Sequence, residues 1–332
     1  YGQFIYREPR GRHAGYTLPE VGIHRGKLHR VMYDAVLARL GPQHVHTDHR
    51  CLRVEQDAAG ATVHFNRSDG QPLAPVQADV VVACDGVNST VRRHFYPQEQ
   101  VAFAGINTWR GVTRHAPILS GKSYLRVGSI DTGKMVIYPI VDQLDAQGRQ
   151  LINWVAEIKH ADASMNDWNQ GGKVRDFIDI FRDWRFDWLD VPSLIENAEQ
   201  ILEYPMVDKD PVPHWTFGRV TLLGDAAHPM YPRGSNGSAQ ALIDGRTLAD
   251  ALARLPPGAD PRAALQRYEA QRLPATARIV ETNRSVPPDF INIKVDELSG
   301  GKPFRHIDDL ISQAELRAIS ENYKKIAGFS LD

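Results

Sequence analysis

The chain has 332 residues, of which 42% are hydrophobic and 24% are charged, and these ordinary proportions exclude a disordered or fibrous protein. Lys and Arg number 39 against 40 Asp and Glu, and the resulting net charge of −1 calls for neither nucleic acid nor an anionic membrane as a partner. No apolar run approaches the roughly 18 residues of a membrane span, and the length suggests about two domains.

The sequence begins at Tyr1 rather than at Met, on a polar stretch that lacks the pattern of a signal peptide. It contains two cysteines, Cys51 and Cys84, which are too few for a disulfide scaffold, so we predict a reduced, cytoplasmic setting. Cys84 ends the apolar run 80–83, and this position predicts a small buried core residue.

Residues 1–97 carry the pattern of an α/β domain. Apolar residues at helical spacing predict a helix over 26–40, which Gly41 and Pro42 end. Three strands are predicted next, the first two joined as a hairpin and the third apolar throughout, like a buried strand of a parallel sheet: 51–56, 61–65 and 78–84.

Residues 98–209 have a different pattern, in which strand-like stretches are separated by Gly, Pro and Asp turns. This pattern predicts a mostly antiparallel sheet built from four main strands: 107–113, 123–127, 134–140 and 151–158. Two helices are predicted within the same segment, at 174–184 and 191–200.

After residue 209 the α/β pattern returns, with a short buried strand at 220–223 and long helices at 236–255 and 261–283. The tail, 285–332, holds a Pro-Pro loop and then helical patterns at 307–311 and 313–327. We therefore predict one domain in two parts, 1–97 and 210–284, interrupted by the sheet domain 98–209 and followed by a helical tail.

The motif richest in chemical meaning is 220–239, VTLLGDAAHPMYPRGSNGSA, where an apolar strand leads to Asp225 and a glycine-lined loop opens a helix. An Asp at a strand's carboxyl end can accept hydrogen bonds from ribityl or ribose hydroxyls. A glycine-lined helix N-terminus offers free N–H groups and a positive dipole end to a reduced flavin or a phosphate. The alternative is an ordinary strand–loop–helix connection with a Ser or Asn cap.

This stretch resembles the second FAD-binding motif of flavin-dependent aromatic hydroxylases, the para-hydroxybenzoate hydroxylase-like class. Residues 79–92, DVVVACDGVNSTVR, resemble the Asp-Gly motif of that family, and 22–28, GIHRGKL, places Arg25 where the family has an arginine on FAD. Three further stretches are similar to the phenazine-type bacterial monooxygenases of the family: 109–111, 186–190 and the Tyr-Lys-Lys of 323–325.

One family feature is missing from the sequence. Among the 26 glycines no two are separated by a single residue, so the G-x-G-x-x-G turn of a dinucleotide-binding βαβ unit is not present. We therefore predict an α/β fold in which an FAD-binding Rossmann-like domain lacks its N-terminal βαβ unit and is interrupted by the sheet domain. We also predict that this sequence is a fragment of its gene product, the alternative being a naturally shortened form.

The resemblance implies an FAD-dependent monooxygenase that uses NADH or NADPH and O₂ to hydroxylate an aromatic or heteroaromatic small molecule through a flavin C4a-hydroperoxide. It implies that FAD is bound by Arg25, Asp85, Asp225, Gly234, Ser235, Asn236 and Gly237. Pro232 and Gly234 form the catalytic flavin environment, with no acid or base assigned. Position and residue type give the candidates that line the substrate site: Trp109, Tyr138, Trp154 and Tyr231.

Several alternatives remain open. Arg110 pairs with a substrate carboxylate or is a charge on the surface of a strand, and His228 is part of a loop scaffold or a general base. The histidines of 44–49 are polar loop residues rather than metal ligands, so no metal is predicted. The other functions to weigh are a related flavin oxidoreductase that inserts no oxygen and a truncated, non-catalytic chain. The sequence leaves the oligomeric state open.

Overall fold

The computed structural model describes residues 1–159 and 170–331. Within them the helices are α1 (Arg25–Leu40), α2 (Thr90–Phe95), α3 (Ile178–Phe181), α4 (Val191–Glu196), α5 (Gly237–Ala253), α6 (Arg262–Ser285), α7 (Phe290–Ser299) and α8 (Gln313–Ala327). The strands are β1 (Arg50–Gln56), β2 (Ala61–Asn66), β3 (Val76–Ala78), β4 (Val81–Ala83), β5 (Ala102–His115), β6 (Leu125–Ser129), β7 (Gly133–Val141), β8 (Gln150–Lys159), β9 (Gln170–Gly171), β10 (Arg185–Phe186), β11 (Leu189–Asp190), β12 (Ala198–Asp208), β13 (Thr216–Phe217) and β14 (Val220–Leu222).

The largest sheet has six strands in the order β6-β7-β8-β5-β12-β9, and every neighbouring pair is antiparallel. This confirms the prediction of an antiparallel sheet between two α/β segments. One face packs against the α3–α4 region in a core that includes Trp154, Phe181 and Leu194. The strands from β5 to β12 lie inside the predicted segment 98–209, while the domain boundaries themselves stay a prediction.

A smaller sheet, β13-β14-β4, contains a parallel pair in which Leu222 lies opposite Ala83. The continuous strand predicted over 78–84 is wrong, because the chain changes sheets there: β3 pairs antiparallel with β2, and β4 pairs parallel with β14. Cys84 follows β4 and is exposed, so the prediction that it is a buried core residue is also wrong.

Helix ends differ from the sequence predictions in two places. The helix predicted over 191–200 ends at Glu196, because Asn197 closes α4 and Ala198 already pairs with Thr113 in the large sheet. The helix predicted over 174–184 shortens to a 3-10 turn, Val174–Asp176, followed by the single turn of α3. The tail contains α7 as well, which the sequence analysis did not predict.

Helices α1 and α8 are packed to different degrees. Helix α1 buries none of its residues and leaves the apolar side chains of Val31, Met32, Val36 and Leu40 exposed. Helix α8 starts with a capping box between Ser312 and Glu315 and packs with α7 in a separate apolar cluster. In the described part of the chain, no helix combines the length and apolar character that crossing a membrane requires.

Candidate active site

Two acidic residues lie just after the carboxyl ends of the parallel strands β4 and β14. Asp85 follows β4 and Asp225 follows β14, and the two strand ends are joined where Leu223 N–H donates to Ala83 O at 2.9 Å. Both carboxylates are exposed. Asp85 also accepts hydrogen bonds from the N–H groups that open α2, at 2.8 Å from Thr90 N and 3.3 Å from Val91 N. This edge is the usual ligand-binding edge of an open α/β sheet.

The buried side chain of Arg92 links the segment after Asp85 to the segment after Asp225. Arg92 Nη1 donates to Ala226 O at 3.1 Å and to Ala227 O at 2.5 Å, and its Nε donates to Glu99 at 2.7 Å. Burial acts to raise the pKa of Glu99, but the Arg92 hydrogen bonds and charge hold it below its usual value. Arg92 therefore fixes the Asp-Gly motif against the loop that follows Asp225.

The loop before α5 presents unsatisfied backbone donors. Asn236 precedes the helix, yet among the described residues its side chain makes no capping hydrogen bond to the first turn. Ser235 has a φ of 54°, a left-handed conformation that is uncommon for a residue other than glycine. A methyl group added at Gly237 would meet nothing closer than Met230 Cγ at 3.9 Å, so the backbone is open on that side. Asn236 does not form the cap of the alternative, an ordinary strand–loop–helix connection, so the first N–H groups of α5 are left for an anionic or carbonyl ligand.

His228 is part of the scaffold behind this loop. Its Nε2 lies 2.5 Å from Asp244 Oδ2, and Asp244 also accepts from Arg272 Nε at 2.7 Å and from Gly224 N at 3.2 Å. The side chains of His228, Asp244 and Arg272 are all buried. The ring of His228 is therefore enclosed behind the loop and held by Asp244.

A second buried network joins the loop to the large sheet. Lys134 Nζ on β7 lies 2.8 Å from Glu157 Oε2 and 3.0 Å from Asp289 Oδ2, and Arg233 Nη2 lies 3.1 Å from the same Asp289 oxygen. Burial acts to raise the pKa of Asp289, but the charges of Lys134 and Arg233 keep it lowered. No sequence pattern indicates this network, because its members are far apart in the chain.

The sheet face turned toward the loop carries Arg110 and Tyr138. Tyr124 stacks on Tyr138 with ring centroids 5.2 Å apart, and its hydroxyl lies 2.8 Å from Ser235 Oγ in the loop. Tyr124 was not among the predicted site residues. The pairing of β6 with β7 would have indicated it, because Leu125 lies opposite Ile137 and Tyr124 therefore lies beside Tyr138 at the next position.

Arg25 reaches the same side of the sheet. The segment before α1 runs close to β7, since a methyl group at Gly22 would lie 2.6 Å from Pro139 O and 3.3 Å from Tyr138 Cδ2. Arg25 itself is exposed, and after burial its charge is the next largest influence that lowers the pKa of Arg110. The structure thus brings Arg25, Arg110 and Tyr138 together.

Two predicted substrate residues lie on the wrong face of the sheet. Trp109 lies opposite Ala156 in the ladder and Trp154 opposite Ile137, so both point to the core side while their neighbours point to the loop side. Trp109 stacks on Phe177 at 4.9 Å, and Trp154 Nε1 donates to Thr113 Oγ1 at 3.0 Å. The prediction that Trp109 and Trp154 line the substrate site is therefore corrected to a packing role.

Tyr231 is buried as well. Its side chain packs with Ile106, Ile130 and Met206 between the sheet and the loop. Burial and the nearby charge of Asp208 raise the pKa of Tyr231 to about 12. Pro232, the next residue, is exposed at the loop, so of these neighbours Pro232 is placed to meet a ligand and Tyr231 to support it.

Comparison with known proteins defines the class of protein. The FAD binding domain family matches residues 18–167 and 195–283. The chain belongs to this family, and its named relatives place it among the FAD-dependent aromatic monooxygenases. The expected α/β fold with antiparallel sheets and C-terminal helices is confirmed, while the missing N-terminal βαβ unit stays a prediction.

Individual relatives are similar along most of the chain. The phenazine 1,6-dicarboxylic acid hydroxylase PhzS of Lysobacter antibioticus is 38% identical over 330 residues, which cover 98% of this chain and 78% of that protein. The 3-amino-4-hydroxybenzoate 2-monooxygenase of Streptomyces platensis is 31% identical over 83% of this chain and 65% of its own length. Klebsiella pneumoniae HpxO, solved with FAD and uric acid, shares the fold with a TM-score of 0.65 at 24% identity, covering 92% of this chain and 70% of its own.

Proposed function

We propose that this protein hydroxylates an aromatic carboxylate, with FAD as cofactor and NADH or NADPH as electron donor. The relatives support the aromatic acid, since the named substrates of two of them are phenazine 1,6-dicarboxylic acid and 3-amino-4-hydroxybenzoate. FAD, when bound, supplies the electron transfer and the activation of O₂ that side chains alone do not provide. The protein's part is to bind, to orient and to exclude water.

The observation that carries the proposal is Arg110. It is partly buried on the sheet face that bears Tyr138, and its buried Nε has no hydrogen-bond partner among the described residues. No carboxylate among the described residues forms an ion pair with it, whereas the Tyr204 ring lies 5.7 Å from its guanidinium carbon. Burial and the charge of Arg25 both lower the pKa of Arg110. A partly buried guanidinium next to a second arginine favours an anionic ligand, and a planar carboxylate matches its paired donors.

The remaining predicted residues fit around that anchor. We assign the ribityl hydroxyls of FAD to Asp225 and keep Arg25 and Asp85 as further cofactor contacts. The backbone of Gly234, Ser235, Asn236 and Gly237 would face the pyrimidine edge of the flavin, where the free N–H groups of α5 stabilise negative charge. Pro232 would border the reacting side, and Tyr138 with Tyr124 would pack against the substrate ring.

Steady-state kinetics test the carboxylate directly. With FAD present, Arg110→Met should raise the KM for an aromatic carboxylate about 10- to 100-fold, because a charged hydrogen bond is lost. The KM for the corresponding carboxamide should not change. Arg114→Met is the matched control, since Arg114 lies on the same strand but is exposed and paired with Glu199.

Product analysis by mass spectrometry completes the test. A hydroxylated acid formed in step with NADH or NADPH oxidation supports the proposal. An equal loss for carboxylate and carboxamide would remove Arg110 from substrate binding. Substrate-stimulated oxidation that yields hydrogen peroxide and no hydroxylated product would instead favour the oxidoreductase that inserts no oxygen.

The cellular setting stays a prediction from composition. Cys51 and Cys84 are both free, which is in keeping with the proposed cytoplasmic location. The near-neutral charge supports the proposal that no nucleic acid is bound. Among the described residues no group of three or more potential metal ligands is found, and we propose no metal.

A further inference from the structure

The side chain of Tyr323 on the C-terminal helix α8 contacts the loop before α5. We call this loop, residues 231–236, the cofactor loop. The Tyr323 hydroxyl donates to Asn283 Oδ1 on α6 at 2.7 Å and lies 3.0 Å from Asn236 Nδ2 at the start of α5. Asn283 Nδ2 in turn donates to the backbone oxygen of Tyr231 at 3.2 Å. Asn236, Asn283 and Tyr323 are all buried, so this chain of hydrogen bonds is shielded from water.

The direction of each hydrogen bond in this chain follows from the one before it. The carbonyl of Tyr231 can only accept, so the amide nitrogen of Asn283 faces it and the amide oxygen of Asn283 faces Tyr323. The single hydroxyl proton of Tyr323 therefore goes to Asn283. Its oxygen must accept from Asn236, which fixes the amide nitrogen of Asn236 toward Tyr323 and leaves Asn236 Oδ1 as an acceptor.

That acceptor has no partner among the described residues, although it is buried. A buried acceptor without a partner costs free energy, and this one lies in the loop proposed to contact the flavin. Gly234 in the same loop packs directly against Tyr323, since a methyl group there would overlap the tyrosine hydroxyl. Tyr323 thus contacts the loop at Gly234 and Asn236, and through Asn283 it also holds Tyr231.

We propose that Tyr323 is a positioning residue of the cofactor loop: through Asn236 it presents Oδ1 as an acceptor for an N–H donor of the cofactor. The proposal rests on the proposed function for the identity of that cofactor. It gives a role to the Tyr-Lys-Lys stretch of α8, which the motifs for FAD and substrate leave without one. It also makes the C-terminal helix a part of the cofactor site.

Tyr323→Phe separates this role from simple packing, because it keeps the ring and removes only the hydroxyl. Tyr16→Phe is the matched control. The Tyr16 hydroxyl also donates to the segment after α8, at Phe329 O, and among the described residues no hydrogen bond joins it to the cofactor loop. Both variants lose one hydroxyl that ties down the same part of the chain, so a general loosening of α8 would affect them alike.

Hydrogen exchange without FAD is the first measurement. Tyr323→Phe should speed amide exchange in residues 231–240 about tenfold, the effect of losing one hydrogen bond that holds a local structure closed. Tyr16→Phe should leave exchange in that segment unchanged. Equal exchange in wild type and Tyr323→Phe, or equal acceleration in both variants, would overturn the proposal.

Flavin binding is the second measurement. Tyr323→Phe should weaken FAD binding about tenfold and shift the visible absorption of the bound flavin, because an acceptor at its edge is no longer fixed. Asn236→Ala should have the same effect, and adding Tyr323→Phe to it should cause little further loss, since the two act in one chain. Additive losses would overturn the proposal. A wild-type protein that takes up no FAD would defeat the proposed function, while the exchange measurement would still decide whether Tyr323 holds the loop.

Discussion

The two helical regions beside the candidate site are built in opposite ways. Helices α5 and α6 bury polar and charged groups together with apolar ones, among them Asp244 and Arg272, and each of these has partners inside the protein. Helix α1 buries none of its residues, and the ion pair on it between Arg30 and Asp34 is exposed. The loop that opens α5 is therefore fixed by buried contacts on several sides, while Arg25 stands on a helix that has few.

This difference separates two kinds of site residue. The loop side of the site is supported by buried side chains with partners inside the protein, such as Arg92, Asp244 and Asp289, and replacing them should lower the free energy of unfolding. Asp225 and Arg25 are exposed, so replacing them should weaken ligand binding rather than lower stability. The comparison therefore predicts large stability effects behind the loop and small ones on α1, and the following variants test it in descending order of effect.

The largest effect is expected at Arg92. Arg92→Met should lower the free energy of unfolding by about 3–5 kcal/mol, because it takes the main partner from the partly buried Glu99, which keeps Lys209, and leaves the buried carbonyls of Ala226 and Ala227 without their donor. Urea denaturation followed by circular dichroism measures the change.

Its neighbour provides the control. Arg93 is exposed, and among the described residues its side chain donates only to Asn88 O, at 3.0 Å, so Arg93→Met should stay within about 0.5 kcal/mol of wild type. A similar loss in both variants would mean that helix α2, rather than the buried link, determines stability at this position.

Around the loop before α5, the local structure was predictable from the sequence, and the contacts between residues far apart in the chain were not. The strand, loop and helix of 220–239 follow from apolar runs and from Gly and Pro positions, which act within a few residues. Tyr323 lies 87 residues from Asn236, and no short pattern indicates that they meet. Alternation does show that Trp109 and Arg110 point to opposite faces. Which face meets the cofactor loop depends on how the whole sheet packs, and for that reason the tryptophans were misassigned.

The second prediction concerns pH. Burial acts to raise the pKa of Asp244, but the hydrogen bond and charge of His228 and Arg272 keep it below its usual value of 3.8. A lowered folded-state pKa gives stability that is fully present above the unfolded value and is lost as pH falls through the folded value. Asp244→Asn should therefore cost about 2–3 kcal/mol at neutral pH, and the difference from wild type should shrink as pH falls below 3.8.

Urea denaturation at several pH values between neutral and strongly acid conditions gives this difference. Asp250→Asn on the same helix is the control, since the Asp250 side chain is 44% exposed and among the described residues it pairs only with Arg246. A difference between Asp244→Asn and wild type that does not change with pH would show that the ionised carboxylate is not what stabilises the loop.

The smallest effect is expected on α1, where one substitution can be compared at two sites. Val31 on α1 is 63% exposed, and Val220 on β14 is 0% exposed. Val220→Ala should cost about 2–3 kcal/mol through lost burial and the cavity left behind. Val31→Ala should change the free energy of unfolding by no more than about 0.5 kcal/mol, because the valine side chain buries little apolar surface and alanine favours a helix. Thermal and urea unfolding of both variants measure the contrast. A loss of stability at Val31 as large as that at Val220 would mean that the apolar face of α1 is covered in solution. Helix α1, which carries Arg25, would then be packed as firmly as the loop before α5.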